Sequence, residues 1–140
     1  MSRAVRVLLV EDNPGDADLV RDTLDTGVRP IDITWLPDGA LATDYVIDLA
    51  GRHDDPPDLV VLDLNLPKRD GREVLHEIKK HDRLRSVPVV VLTSSDAEAD
   101  ILACYAAGAS CYITKPIGLA AFQKVVRAID EFWLQVVTLP

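Results

Sequence analysis

No stretch of this sequence approaches the roughly 18 to 20 consecutive apolar residues that a membrane-spanning helix needs. The start, "MSRAVRVLLVED", runs into acids after a short apolar stretch with no cleavage site behind it, so a cytoplasmic protein without a leader or membrane anchor is expected. Cysteine is scarce. Cys104 lies in an Ala-rich segment and Cys111 in a strand-like one, which fits reduced, buried thiols rather than a disulfide. Basic residues are outnumbered 15 to 23 by acids, and the formal charge of −8 opposes the phosphate attraction that underlies nucleic-acid binding. Where Arg69, Arg72, Lys79, Lys80, Arg83 and Arg85 do cluster, Glu73, Glu77 and Asp82 interleave them, as on a solvated helix face. Histidine offers no metal site, because His76 and His81 are five apart, on different helical faces, and His53 lies in a loop. Aromatics are few, yet 48% hydrophobic and 27% charged residues make a globular chain, and 140 residues suit a single core.

What is present is a repeated alternation. Near-continuous apolar runs at Val5 to Val10, Ile31 to Leu36, Leu59 to Leu62, Val87 to Leu92 and Ala109 to Ile113 suit strands of a parallel sheet covered on both faces. Helical signals lie between them. Asn13 can cap a helix with Pro14 first and Asp16 in its first turn, with Gly27 as its stop. Leu41, Tyr45 and Leu49 share a face; Asp70 with Glu73 opens a third helix; Ser95 with Glu98 reads as a capping box closed by Gly108. A last helix runs from about Gly118 towards Gln135. Five strand and helix pairs without linker or repeat indicate an α/β doubly wound, flavodoxin-like fold, with a five-stranded parallel sheet in the common order 2-1-3-4-5.

In such sheets ligands bind beyond the carboxyl ends of the strands. Strand one ends in Glu11 and Asp12, strand three in Asp63 and strand four in Thr93 and Ser94, while Lys115 and Pro116 follow strand five. Three carboxylates brought to one edge repel each other unless a cation joins them, and an all-oxygen donor set suits Mg²⁺. A metal and an ammonium around a further carboxylate suit phosphoryl transfer to that carboxylate, which then forms an acyl phosphate. Asp63 is the candidate nucleophile, since its strand lies between the acid pair and Thr93. Each residue alone also has a plainer reading. Acids after a strand can cap the next helix, threonine is common in strands, and most lysines are solvated. Asp63 is not needed as a cap, because Asp70 already fills that position.

These residues resemble the receiver domain of two-component response regulators. The resemblance covers residues 4 to about 130 and rests on "LLVEDN", "DLVVLDLNLPKRDG", "PVVVLTSSD" and "YITKP" taken together. It implies that Asp63 accepts a phosphoryl group from a partner kinase's histidine, and that the chain is a phosphoacceptor rather than an enzyme acting on a small molecule. It further implies Mg²⁺ at Glu11, Asp12, Asp63 and the Asn65 carbonyl, with Asp12 the direct ligand, and Lys115 paired with the phosphoryl group. Thr93 moves towards that group on activation, and Tyr112 matches the aromatic switch position, although an ordinary strand tyrosine also fits. A degenerate receiver that acts only as a binding module lacks some of these groups, whereas none is missing here. An FMN protein wants a phosphate cradle where this chain has Glu11, Asp12 and Asp16. A Mg²⁺-dependent small-molecule phosphatase wants its aspartate pair on the first strand, whereas here Asp63 and Asn65 follow the third.

The sequence closes on "EFWLQVVTLP" about five residues beyond its last helix, so receiver (residues 1–130) and apolar extension (residues 131–140) are expected to signal through protein contacts, with no DNA-binding output domain. On a helical wheel Leu119, Phe122, Val126, Ile129 and Trp133 form one arc for the sheet, and Ala121, Val125, Phe132 and Val136 form a neighbouring one. Together they span about 160°, wider than the roughly 100° of one buried face. The excess wants a partner, either the chain's own domain or a second copy in a symmetric homodimer. This ending, with "EDNPGDADL" near the start, resembles single-domain regulators that partner bacterial phytochrome histidine kinases, including the cyanobacterial ones. That likeness implies a dimer through Val125, Phe132, Trp133, Leu134 and Val136.

Overall fold

Side chains alternate across a strand, so a strand covered on both faces must be apolar at every position. The central runs obey this in the computed structural model, which describes residues 4–26, 29–52 and 55–136: Val7 to Val10, Leu59 to Leu62 and Val89 to Leu92 are buried throughout, while the outer runs are only partly covered and carry Asp32 and Thr114 in solvent. In order the elements are β1 (Val5–Val10), α1 (Pro14–Leu24), β2 (Ile31–Leu36), α2 (Gly39–Ala50), β3 (Leu59–Leu62), α3 (Gly71–Lys80), β4 (Val89–Thr93), α4 (Glu98–Ala106), β5 (Cys111–Thr114) and α5 (Leu119–Ile129), followed by a π-helical segment, Asp130–Val136. The sheet is parallel throughout in the order β2-β1-β3-β4-β5. Register is continuous through its centre: Val10 lies opposite both Leu36 and Leu62, and Leu62 opposite Val91.

The alternation divides the core in two. Leu8, Val10, Val60, Leu62, Val89 and Val91 pack beneath α2, α3 and α4 with Val46, Leu75 and Ile78. Val7, Leu9, Leu59, Val61, Val90 and Leu92 pack beneath α1 and α5 with Val20, Phe122 and Val126. Each such fully buried Val or Leu contributes roughly 1.5 to 3 kcal/mol, so the sheet is a rigid base for whatever stands at its edge. The two cysteines are free, Cys104 buried and Cys111 partly so. No helix among the described residues is long and apolar enough to cross a membrane.

Local signals place the turns above the sheet. Asn13 accepts from the Asp16 N–H with Pro14 at the first position, and Asp70 accepts from the Arg72 N–H. Gly71 opens α3 directly against the end of β3, where a Cβ would lie 2.2 Å from the Asp63 carbonyl oxygen. Only glycine permits that approach, and it holds the Asp63 backbone against α3.

Four expectations change. Ser95 is not a cap: α4 begins at Glu98 behind Ala97, while the Ser95 hydroxyl donates to Asp100 Oδ2 at 2.7 Å. The first-turn acid attracts that hydroxyl away from the orphan N–H groups. β4 begins two residues later than its apolar run, because Pro88 cannot donate to the ladder. Leu119 is 67% exposed, since the first turn of α5 stands at the carboxyl edge, past the last residues of β5. Finally, α helix gives way to π helix at Asp130, which is buried and paired with Arg29. This changes the phase of the residues beyond it. Gly27, expected to stop α1, lies outside the described residues; α1 ends at Leu24, and the N–H of Asp25 returns to the Arg21 carbonyl.

Candidate functional site

All five strand ends point the same way, and the groups they carry meet. Glu11 is buried directly after β1, Asp63 directly after β3, Thr93 closes β4, and Lys115 follows β5. Lys115 Nζ donates to Glu11 Oε1 at 2.5 Å, and to Asp63 Oδ2 and Asp16 Oδ2 at 2.9 Å each. Asp63 is held at both oxygens, since its Oδ1 accepts from the Asn65 N–H at 3.1 Å. The Asn65 amide in turn reaches Thr93 Oγ1 and Ser94 Oγ at 3.5 Å each. Glu11 Oε2 accepts from the Asn13 N–H, which fixes that carboxylate across the turn.

The electrostatics follow from burial. Removal from water pushes the Glu11 carboxyl up to about 8, against the hydrogen bond from Lys115 and with the charge of Asp63. Burial also raises Asp63, yet hydrogen bonds with Thr93 and Lys115 outweigh it and hold this carboxyl below its ordinary range. Burial lowers Lys115, but hydrogen bonds to Glu11, Asp63 and Asp16 more than reverse it, so its ammonium stays charged. Asp63 is therefore an ionised, oriented carboxylate beside a fixed cation.

Glu11, Asp12 and Asp63 each offer one carboxylate oxygen, all within 4.8 Å of one another. One ammonium faces three carboxylates here, and burial, with the charge of Asp63 beside it, holds the Glu11 carboxyl up at about 8. A bound cation relieves the repulsion among these carboxylates, and hard oxygen donors favour a divalent ion of the Mg²⁺ or Mn²⁺ kind. The residues fit such an ion.

Sequence reasoning does not single out Asp16 for the site. An acid in the first turn of a helix is already explained by the helix dipole. Its backbone N–H is capped by Asn13, however, and its carboxylate turns to Lys115. Tyr112 stands apart from the acids: its hydroxyl donates to the Ser95 carbonyl at 2.7 Å, and its N–H donates to the Tyr105 hydroxyl at 3.0 Å. It thereby ties β5 to α4 and to the loop after Thr93. The five residues expected at a dimer interface lie away from this edge and differ among themselves. Val125, Trp133 and Leu134 are partly buried against the α1 and α5 core, Phe132 is 54% exposed, and the Val136 side chain lies outside the described residues.

The chain matches the response regulator receiver domain over residues 7–127. It is 44% identical over 135 residues to the response regulator Rcp1 of Synechocystis sp., covering 96% of this chain and 92% of that protein. The structure of the phosphorylated cyanobacterial phytochrome response regulator RcpA superposes with a TM-score of 0.91 at 42% identity, covering 99% of both chains. The Mn(2+)-bound form of Rcp1 superposes with a TM-score of 0.87 at 43% identity, over 96% of this chain and 98% of that one. The likeness thus runs through every strand end that contributes to the acidic edge, and the chain belongs to the response regulator receiver domain family.

Proposed function

We propose that this chain is a phosphoacceptor switch that takes a phosphoryl group from a histidine kinase onto Asp63 and signals through protein contacts. The observation that carries the reading is the single Lys115 ammonium on both Glu11 and Asp63, with Thr93 and Asn65 holding Asp63 from the other side. An Asp63 oxygen attacks the phosphorus in line; the P–O bond forms as the P–N bond of the phosphohistidine breaks, and the released imidazole keeps the electron pair. Lys115 follows the charge onto the transferred oxygens and gives up part of its hold on Glu11 and Asp16. Thr93, buried at the end of β4, donates its hydroxyl to the new group. That movement loosens the loop to which Tyr112 is bonded, so the β4–α4–β5 surface shifts between two populations, each stabilised by whichever partner binds it better. Glu11, Asp12, Asp63 and the Asn65 carbonyl would hold Mg²⁺, which when bound supplies neutralising charge for the phosphoryl oxygens. The chain is here its own substrate.

The kinase we assign is of the phytochrome type, on the likeness to Rcp1 and RcpA and on the "EFWLQVVTLP" ending. Ile117 and Leu119, both exposed just after Lys115, offer a docking kinase apolar contacts beside the acceptor.

Acetyl phosphate with Mg²⁺ should add one phosphoryl mass to the intact protein, and hydroxylamine should remove it, as it does from acyl phosphates. EDTA should abolish uptake. Because a bound cation displaces the Glu11 proton, the Mg²⁺ affinity should rise with pH until Glu11 ionises at about 8. Uptake indifferent to EDTA, or turnover of small phosphate esters without an adduct, would overturn the reading.

The output we propose is a homodimer through the last helical turns. A groove of about 490 Å³ between β5 and this segment is lined by Ile113, Ile129, Phe132 and Trp133, and the Phe132 ring, edge-on to Trp133 at 5.3 Å, stands largely in solvent. Phe132→Glu spares the core that Trp133 and Leu134 help to cover. By sedimentation equilibrium it should be monomeric at concentrations where the parent is dimeric, with phosphorylation intact; an unchanged dimer would remove Phe132 from the interface.

A further inference from the structure

Trp35 is an edge-strand residue that the mechanism above does not use. Its position is unusual for a packing residue. From β2 its indole Nε1 donates to the backbone carbonyl of Glu11 at 2.7 Å, while the N–H of Glu11 donates to the Leu36 carbonyl at 3.2 Å. Both backbone groups of Glu11 are thus bonded to β2. On the side of α1 the Arg21 guanidinium lies 4.9 Å over the indole ring, and Arg21 is itself paired with Asp18. The indole is clamped between helix and strand end, with its one polar atom aimed at the turn.

The carbonyl it holds is not incidental. The Glu11 C=O and the Asp12 N–H belong to one planar peptide, so a bond that fixes this carbonyl fixes the plane from which both acidic side chains depart. Glu11 is held further by the N–H of Asn13 and by Lys115, whereas Asp12, the next residue along that peptide, is exposed. An aliphatic or phenyl side chain at position 35 can fill the same space, but it has no N–H to donate.

We infer that Trp35 is a positioning residue for the divalent cation: its indole N–H presets the Glu11–Asp12 peptide so that the acid pair meets the ion without reorganisation. This rests on the reading that Glu11, Asp12 and Asp63 hold the ion. Groups that orient a ligand from behind typically contribute about 10- to 100-fold in affinity. Trp35→Phe keeps most of the ring and its contact with Arg21 and removes only the donor, so the effect falls at the lower end, about tenfold.

The test is calorimetric titration of MgCl₂ into the full-length parent and Trp35→Phe, with thermal melts in parallel. Weaker Mg²⁺ binding by about tenfold at a temperature where both proteins are folded supports the inference. Equal Kd values, with or without a lower Tm, overturn it and leave Trp35 a packing residue. If the parent itself binds no Mg²⁺, the reading of the acidic cluster fails first, and this inference with it. A second measurement does not depend on the fold of Trp35→Phe. The chain has two tryptophans, so in Trp133→Phe all tryptophan emission comes from Trp35. That emission should change on MgCl₂ addition and saturate with the calorimetric Kd, and a spectrum indifferent to Mg²⁺ would uncouple the indole from the site.

Discussion

Asp63→Asn should fold normally and fail to take up a phosphoryl group. The amide has the shape of the carboxylate and can still accept from the Asn65 N–H, but it has no charge and no nucleophilic oxygen of comparable strength. Loss of a sole nucleophile typically costs about 10⁴-fold or more, below detection by intact mass with acetyl phosphate and Mg²⁺. Stability should not fall in step. The substitution relieves Glu11 of a neighbouring charge, but it also removes a carboxylate whose ionised form Thr93 and Lys115 stabilise, so the two effects oppose and the variant should melt close to the temperature of the parent. The combination is diagnostic: a folded protein of near-parental stability that is chemically silent. A hydroxylamine-labile adduct at the parental level would refute Asp63 as acceptor. A hydroxylamine-resistant adduct would instead point to one of the nearby hydroxyls, Thr93 or Ser94.

The acceptor edge was legible because the sheet does the geometric work. Parallel strands bring residues far apart in the chain to one edge, so an acid pair after β1, an acid after β3, a hydroxyl closing β4 and a lysine after β5 need only the strand boundaries to be brought together. Those boundaries are marked by the ends of apolar runs at Val10, Leu62 and Leu92. What was not legible depends on side-chain direction or helical phase. Asp16 has a sufficient local role in the first turn of α1, and nothing in the pattern tells which way its carboxylate turns. Ser95 satisfies the spacing of a capping box, but Asp100, also within reach, takes its hydroxyl. On a uniform 100° wheel Leu119 belongs to the buried arc, and Phe132 and Trp133 are assigned to neighbouring faces. The wheel assumes a sheet under every turn and one helical type throughout. α5 violates the first assumption at Leu119, and the π-helical segment from Asp130 departs from the second, although Trp133 still packs on the core and Phe132 stays exposed, as the wheel has them.

Lys115→Met should be the most destabilising change at the site, and its dependence on pH and Mg²⁺ should identify the cause. Methionine keeps the volume of the stem, so the loss is chiefly that of the ammonium. The Lys115 side chain is 9% exposed, and the Glu11 and Asp63 side chains it holds are 3% and 5% exposed. Breaking a buried pair typically costs about 3 to 5 kcal/mol. The lower figure applies here, because Glu11 titrates at about 8 and can discharge by taking a proton. For a domain of this size about 3 kcal/mol lowers Tm by roughly 10 °C. The sign with pH follows from linkage. A carboxyl raised in the folded state stabilises it below the unfolded value near 4.5, and that contribution is lost as pH rises through about 8. Without Lys115 the burial of Asp63 is also uncompensated, so its carboxyl rises too. The deficit of Lys115→Met should therefore be small at about pH 5 and largest near pH 8. Mg²⁺ should restore more stability to the variant than it adds to the parent, since a ligand that binds only the folded state stabilises it in proportion to occupancy and the variant has no competing ammonium. Phosphoryl uptake should remain poor even with Mg²⁺ saturating, because no side-chain cation is left to follow the charge onto the phosphoryl oxygens. A loss of stability independent of both pH and Mg²⁺ would reduce Lys115 to a space-filling residue, and the charge argument for the whole edge would fall with it.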